Sequence, residues 1–235
     1  MNTINIRMEN KKISTKKSDL EAKGIVLCGL CQDMMKKIPN DGVNLTVTSP
    51  PYDNIRDYKG YCFEEEDFKK IVSELYRVTK KGGVVVWVVG DAVKNGSETG
   101  TSFRQALGFM EGGFKLHDTM IYEKNTSSFP ARRTGKRYTQ IFEYMFVFSK
   151  GKISTGNLIC DKPNKWAGHT NWGKNTHRGK NGELVKTKDI KPVPDFSPRN
   201  NIWRYNVGNK FNSSDKESHN HPAIFPEKLA EDHIL

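Results

Sequence analysis

Apolar residues in this chain come in short, regularly spaced runs. Between residues 64 and 80 they recur as Phe68, Ile71, Val72, Leu75 and Val78, the 3.6-residue period of a helix with one buried face. The acidic run from Glu64 to Asp67 and the closing Lys80 and Lys81 suit the helix dipole. Gly82 and Gly83 predict where this helix stops. Residues 84–89 (Val-Val-Val-Trp-Val-Val) are apolar without alternation, which predicts a strand buried on both faces, as in a parallel sheet covered by helices. Residues 43–48 alternate and are β-branched, predicting a strand. It ends at Pro50-Pro51, because proline cannot continue a ladder.

Shorter signals fill in the rest. Residues 24–28 predict a short buried strand, followed by a short helix with Met34, Met35 and Ile38 inward. Residues 102–110 read as a helix, 114–122 as a strand, and 141–148 as a strand around Phe142, Tyr144, Phe146 and Phe148. The alternation of strand and helix from 24 to 148 predicts an α/β sheet. Residues 150–200 break that rhythm. They are rich in Lys, Asn, Gly, Thr and His and poor in aliphatics, as expected of an inserted, loop-rich module. Order resumes with a strand at 202–205 and a helix over 225–234, starting behind Pro226. The expected organisation is a flexible basic arm (1–23), an α/β domain (24–150), an inserted module (151–200) and a return to the α/β domain (201–235).

Composition sharpens this picture in one direction. Thirty-eight Lys and Arg against 27 Asp and Glu give the 235-residue chain a net charge of +11, a surplus that favours polyanions such as nucleic acid or an anionic membrane surface. No apolar run approaches the roughly 18 residues needed to span a bilayer, and residues 1–23 are too polar for a signal peptide. A cytoplasmic location is expected. The four cysteines, Cys28, Cys31, Cys62 and Cys160, are too few and scattered for a disulfide framework. Cys28 and Cys31 are expected to be packed thiols, because no second pair completes a metal set.

The candidate chemistry lies in Thr48-Ser49-Pro50-Pro51-Tyr52. A polar residue stands at the carboxyl end of a strand, where α/β sheets place their ligands. Two prolines fix the backbone, and the residue before each is forced toward extended geometry. The Pro50 carbonyl is an acceptor with no competing amide from Pro51, and an aromatic ring follows at once. A hydroxyl, a carbonyl and a flat stacking face suit gripping the amino group of a planar ring. On the residues alone, a Pro-Pro turn with a surface tyrosine is the favoured reading.

Thr-Ser-Pro-Pro-Tyr behind an aliphatic strand resembles the signature of the amino-methyltransferases that use S-adenosylmethionine, and its Ser49 form resembles the cytosine-N4 branch of the DNA enzymes. The adenine-N6 branch more often has Asp or Asn at that position, and both branches stay open. Asp53-Asn54-Ile55-Arg56-Asp57-Tyr58, Lys81-Gly82-Gly83, Trp87-Val88-Val89-Gly90-Asp91 and Phe146-Val147-Phe148-Ser149-Lys150-Gly151 are similar to later segments of that family. The order is that of its permuted class, with the catalytic loop first. The resemblance implies a partial Rossmann-like methyltransferase sheet with an inserted target-recognition region, S-adenosyl-L-methionine as methyl donor, and double-stranded DNA as substrate. It implies a flipped-out target base, Tyr52 stacked on it, and Ser49 and the Pro50 carbonyl accepting the amino hydrogens, with Pro51 completing the loop. Positioning carries such a reaction, with no catalytic cysteine and no metal.

For the cofactor, the resemblance implies Cys28, Gly29 and Leu30 at the adenine end and Ser49 and Pro50 beside the methyl. It implies His221, Pro222, Ala223, Phe225 and Pro226 against the methionine end. Two departures stand out. Many relatives have Gly-Asp near residue 30, and Leu30 cannot accept that hydrogen bond. The family's Asp-Pro-Phe-x-Gly-Ser-Gly-Thr loop is absent before Leu235. The chain is therefore expected to be either a truncated gene product or one half of a split enzyme whose second chain supplies the loop; a catalytically silent DNA-binding remnant is the alternative of another class to an active DNA methyltransferase. A cognate restriction endonuclease is a further candidate partner, and methylation of RNA or protein is a more distant reading.

For DNA contact the candidates are Arg132, Arg133, Lys136, Arg137, Lys165, Trp166, Lys174 and Arg178. Cations interleaved with aromatics, without core periodicity, suit phosphate contacts and base-edge readout; a solvated loop has the same composition.

Overall fold

The computed structural model describes residues 24–53, 63–125, 136–170, 176–186, 191–208, 213 and 224–234. They fall into two compact units. The first takes the residues up to Asp118 together with Phe146–Ile153; the second takes Thr119–Met145 and the residues from Ser154 onward.

The first unit is built on two parallel strands, β1 (Val43–Thr48) and β2 (Thr79–Val89), joined through α2 (Glu65–Val78). The end of β6 (Phe142–Ser149) lies next to β2, giving the order β1-β2-β6. As the periodicity predicts, α2 buries Phe68, Ile71, Val72, Leu75 and Val78, and Val85 to Val89 are buried without alternation. Phe68, Trp87, Phe109, Phe114 and Phe148 share this core, with Phe109 stacked on Phe148 at 4.3 Å between ring centres. The Trp87 indole N–H donates to Gln105 Oε1 at 2.8 Å, so the buried polar ends of both side chains are satisfied.

α3 (Thr101–Glu111) lies against α2 through glycines. A Cβ on Gly108 would stand 2.6 Å from Phe68 Cε1, and one on Gly112 would stand 2.5 Å from Val72 Cγ1. Between β2 and α3 runs a small hairpin, β3 (Val93–Lys94) and β4 (Ser97–Glu98). Asn95 and Gly96 turn it with positive φ, the left-handed pair that a tight hairpin needs.

Three expectations need correction. Residues 24–28 form no strand and are exposed, Ile25 by 75% and Val26 by 82%. An apolar run is buried as a strand only where a ladder takes it up, and β1 is the first strand of the sheet order among the described residues. The helix α2 stops at Val78, ahead of Gly82-Gly83, because Thr79 turns extended and opens β2. The two glycines instead serve a bulge: Val43 pairs with Thr79 but Leu45 with Val84. Gly82 takes a φ of 82° there, and a Cβ on Gly83 would lie 3.0 Å from the Asn44 carbonyl oxygen. Finally, Cys28 and Cys31 are exposed free thiols, not packed ones.

α1 (Cys31–Met35) is one turn long, with Met34 and Met35 half-buried. Arg77 at the end of α2 secures the segment that follows, donating to the Met35 and Ile38 carbonyls at 2.7 and 2.9 Å and to Asn40 Oδ1 at 2.7 Å.

In the second unit, β11 (Ile202–Tyr205) runs parallel to β5 (Lys115–Lys124), and β5 lies next to the start of β6. α4 (Glu227–Ile234) packs Leu229 fully inward. Asp232 of α4 accepts from Arg199, Tyr205 and Lys228; Arg199 also grips Asp161. Residues 154–200 have little regular structure: β7 (Lys162–Pro163) pairs with β10 (Phe196–Ser197), and β8 (Thr176–Arg178) with β9 (Leu184–Lys186).

Candidate functional site

Parallel strands end on the same side of their sheet, and Thr48, the last residue of β1, is paired with Trp87 near the end of β2. The loops after these two strands, Ser49–Asp53 and Gly90–Gly100, therefore leave from one edge, the carboxyl edge at which α/β sheets bind ligands. Pro50 is buried, while Ser49, Pro51, Tyr52 and Asp53 are half-buried. The rigid double proline brings Ser49 and Tyr52 together: their hydroxyl oxygens are 2.6 Å apart.

Asp53 ends this loop with a φ of 41°, a left-handed turn that Asp tolerates better than most residues. Its carboxylate reaches the second loop. Oδ1 accepts from the Thr101 hydroxyl at 2.6 Å, and Oδ2 accepts from the Ala92 amide at 3.1 Å and from the Thr99 hydroxyl. Burial pushes the Asp53 carboxyl up, but the Thr101, Thr99 and Ala92 hydrogen bonds and the nearby Lys94 outweigh it and hold it below the usual range. Asp91, buried at the end of β2, caps α3 by accepting from the Ser102 amide at 2.9 Å and from its hydroxyl. Arg104 braces the same turn, donating to the Thr99 carbonyl at 2.7 Å and to Thr101 Oγ1 at 3.0 Å.

Beside the loop opens a cavity of about 570 Å³, lined by Pro51, Asp53, Phe68, Val72, Arg104 and Gly108 among others. Its lining mixes apolar side chains such as Phe68 and Val72 with charged ones such as Asp53 and Arg104.

The structure thus brings the four predicted catalytic residues into one turn at a strand end. Cys28, Gly29 and Leu30 are exposed ahead of α1, where the chain bends at Gly29 with a φ of 149°. Phe225 is half-buried and Pro226 buried at the start of α4 in the second unit; His221, Pro222 and Ala223 lie outside the described residues, as do Arg132, Arg133 and Lys174. Lys136, Arg137, Lys165, Trp166 and Arg178 are exposed in the second unit. Lys165 Nζ stands 5.6 Å from the Trp166 ring centre, a cation on an aromatic face. Arg178 sits at the end of β8, in an exposed hairpin that also carries Lys180 and Lys186. Among the described residues no group of His, Cys, Asp and Glu could hold a metal ion, and no helix is long and apolar enough to cross a membrane.

Sequence reasoning missed the anchoring of Asp53 and the hairpin before α3. Asn95-Gly96 signals such a hairpin, and the run Thr99, Thr101, Ser102 behind Asp91 is the composition of a helix start.

Comparison with known proteins follows the same lines. Residues 43–235 match the family profile described as a DNA methylase, that of the N6 and N4 methyltransferases. Over 202 residues the chain is 55% identical to the orphan methyltransferase M.BamHII of Bacillus amyloliquefaciens, covering 86% of this chain and 74% of that protein. It is 28% identical over 152 residues to the type II methyltransferase M.SfiI of Streptomyces fimbriatus, of which it covers 36%. Among solved structures, the cytosine-N4-specific PvuII DNA methyltransferase shares the fold, with a TM-score of 0.54 at 19% identity over 86% of this chain and 66% of that one.

Proposed function

Because this chain belongs to the DNA methylase family of N6 and N4 methyltransferases, we propose that it methylates the exocyclic N4 of cytosine in double-stranded DNA. The observation that carries this reading is the turn at the carboxyl end of β1, where the Ser49 and Tyr52 hydroxyls meet across Pro50-Pro51. The target base leaves the stack, since its amino nitrogen is otherwise out of reach. Tyr52 stacks on it. Ser49 Oγ and the Pro50 carbonyl accept the amino hydrogens and turn the nitrogen lone pair toward the methyl donor. Holding the two reactants in line is the main source of rate.

S-adenosylmethionine supplies a methyl group on a sulfonium. In the first unit, the exposed backbone of residues 28–30 suits hydrogen bonding to the adenosine, and Ser49 and Pro50 stand beside the reacting end. The exposed cations Lys136, Arg137, Lys165 and Arg178, with Trp166, contact DNA phosphates and bases.

Adenine N6 is the second reading, because an amino group on a planar ring is common to both bases; Ser49 at the first position of the turn favours cytosine. The test is mass spectrometry of nucleosides from DNA of a methylation-free host expressing the chain. N4-methylcytosine supports the proposal and N6-methyladenine replaces it with the second reading. Neither base from a folded protein that binds DNA would leave a silent binding module or one half of a split enzyme. Mixing with a chain that carries the glycine-rich loop separates those two.

A further inference from the structure

We propose that Asp53 is a positioning residue for methyl transfer, holding the Ser49–Tyr52 turn in its working shape through Thr99, Thr101 and the Ala92 amide. The inference rests on the reading of that turn as the base grip. Asp53 is joined directly to Tyr52 and takes a left-handed φ of 41°. Both carboxylate oxygens are engaged, Oδ1 by Thr101 and Oδ2 by Thr99 and Ala92. The donors all come from one segment, the loop from the end of β2 to the first residue of α3.

That segment is itself immobilised. Asp91 ties it to Ser102, Arg104 braces Thr99 and Thr101, and Gln105 one turn on is bonded to the buried Trp87. The turn that grips the base is thereby fastened to the aromatic core of its own unit, at a distance of one residue from Tyr52. A loop held by two prolines alone could still swing about its ends. Displacing reacting groups by about 1 Å costs on the order of 100-fold in rate, so this anchor acts on turnover rather than on DNA affinity.

The test replaces the donors and leaves Asp53, with its backbone requirement, in place. Thr99→Val/Thr101→Val removes both hydroxyls at nearly constant volume; Thr99→Ser/Thr101→Ser keeps them. Two readouts are taken on the full chain: kcat and KM for DNA, and amide hydrogen exchange of residues 47–53. The valine pair is expected to lower kcat by roughly 10- to 100-fold while KM for DNA moves less than about threefold. Exchange in 47–53 is expected to speed up while α2 and β2 keep their protection, and the serine pair restores both. Unchanged kcat and exchange in the valine pair would overturn the proposal, and so would exchange that rises equally throughout the unit. Where the unaltered chain does not methylate DNA, alone or mixed with a chain that carries the glycine-rich loop, the reading of the turn fails on its own, and the exchange measurement still decides whether Asp53 anchors it.

Discussion

Ser49 and Tyr52 face each other across the double proline with their hydroxyl oxygens 2.6 Å apart. One of them donates to the other. If Ser49 donates, both of its lone pairs remain free to accept amino hydrogens from a base, so the Tyr52 hydroxyl becomes part of the grip.

Stacking alone would leave Tyr52→Phe almost harmless. With the hydroxyl pair in place, Tyr52→Phe is expected to lower kcat by about fivefold, the worth of one hydrogen bond near 1 kcal/mol. Tyr52→Ala removes the ring as well and is expected to cost far more, and Ser49→Ala to lower turnover with little change in DNA affinity. Single-turnover methylation of an oligonucleotide with each variant checks this. Equal rates for the Tyr52→Phe variant and the unaltered protein would remove the hydroxyl from the mechanism.

Gly108→Ala tests the α2–α3 contact. In an exposed helix the change stabilises by about 1 kcal/mol. Here the new Cβ would lie 2.6 Å from a carbon of the buried Phe68 ring, and overpacking costs about 1–3 kcal/mol. The expected net effect is destabilisation, read as a lower unfolding midpoint in urea.

Stability is expected to fall in two steps on acidification. Burial pushes the His233 imidazole below its usual value, only partly offset by the Leu229 carbonyl and Asp232. Its buried Nε2 has no hydrogen-bond partner among the described residues, so protonation there is unfavourable in the fold. A depressed folded pKa gives stability that is present above the ordinary imidazole range and lost as pH falls through the lower folded value. His233→Gln should remove this upper step.

The lower step belongs to Asp232. Burial raises its carboxyl, but Arg199, Lys228 and Tyr205 together hold it below the usual range. The stability it contributes is present above the ordinary carboxylate pKa and lost as pH falls through the folded one. Thermal unfolding from pH 7 to pH 2 should show Asp232→Asn less stable at neutral pH and less sensitive to acid. Parallel curves for the two proteins would rule this out.

Salt dependence tests the basic surface. If Lys165 and Arg178 contact phosphates, each change to Ala should weaken DNA binding uniformly across sequences and reduce the slope of log K against log salt by about 1. Fluorescence anisotropy at several salt concentrations measures it. A slope that stays put would return these side chains to the solvent.

Much of this molecule was written in its local pattern. The inward face of α2 and the two-sided burial of β2 follow from the pattern of apolar residues, because side-chain direction is fixed by the 3.6- and 2-residue repeats. The grip itself, Ser49 to Tyr52, is equally local: prolines restrict their own backbone and the residue before them wherever they stand.

What periodicity could not reach depends on partners distant in sequence. Residues 24–28 carry the composition of a buried strand but are exposed, since burial requires a ladder that the residues alone do not provide. Gly82-Gly83 has the composition of a helix stop and serves a bulge, because the pairing of β1 with β2 sets where the helix ends. Asp53 shows nothing in sequence of its bonds to Thr99 and Thr101, 46 and 48 residues on. The chain by itself determined the buried faces of α2 and β2 and the rigid Ser49-Pro50-Pro51-Tyr52 turn proposed as the base grip, through hydrophobic period and short-range sterics. Only the tertiary structure decided what holds that grip still, because hydrogen bonds between distant loops exist only once the parallel strands have brought their ends together.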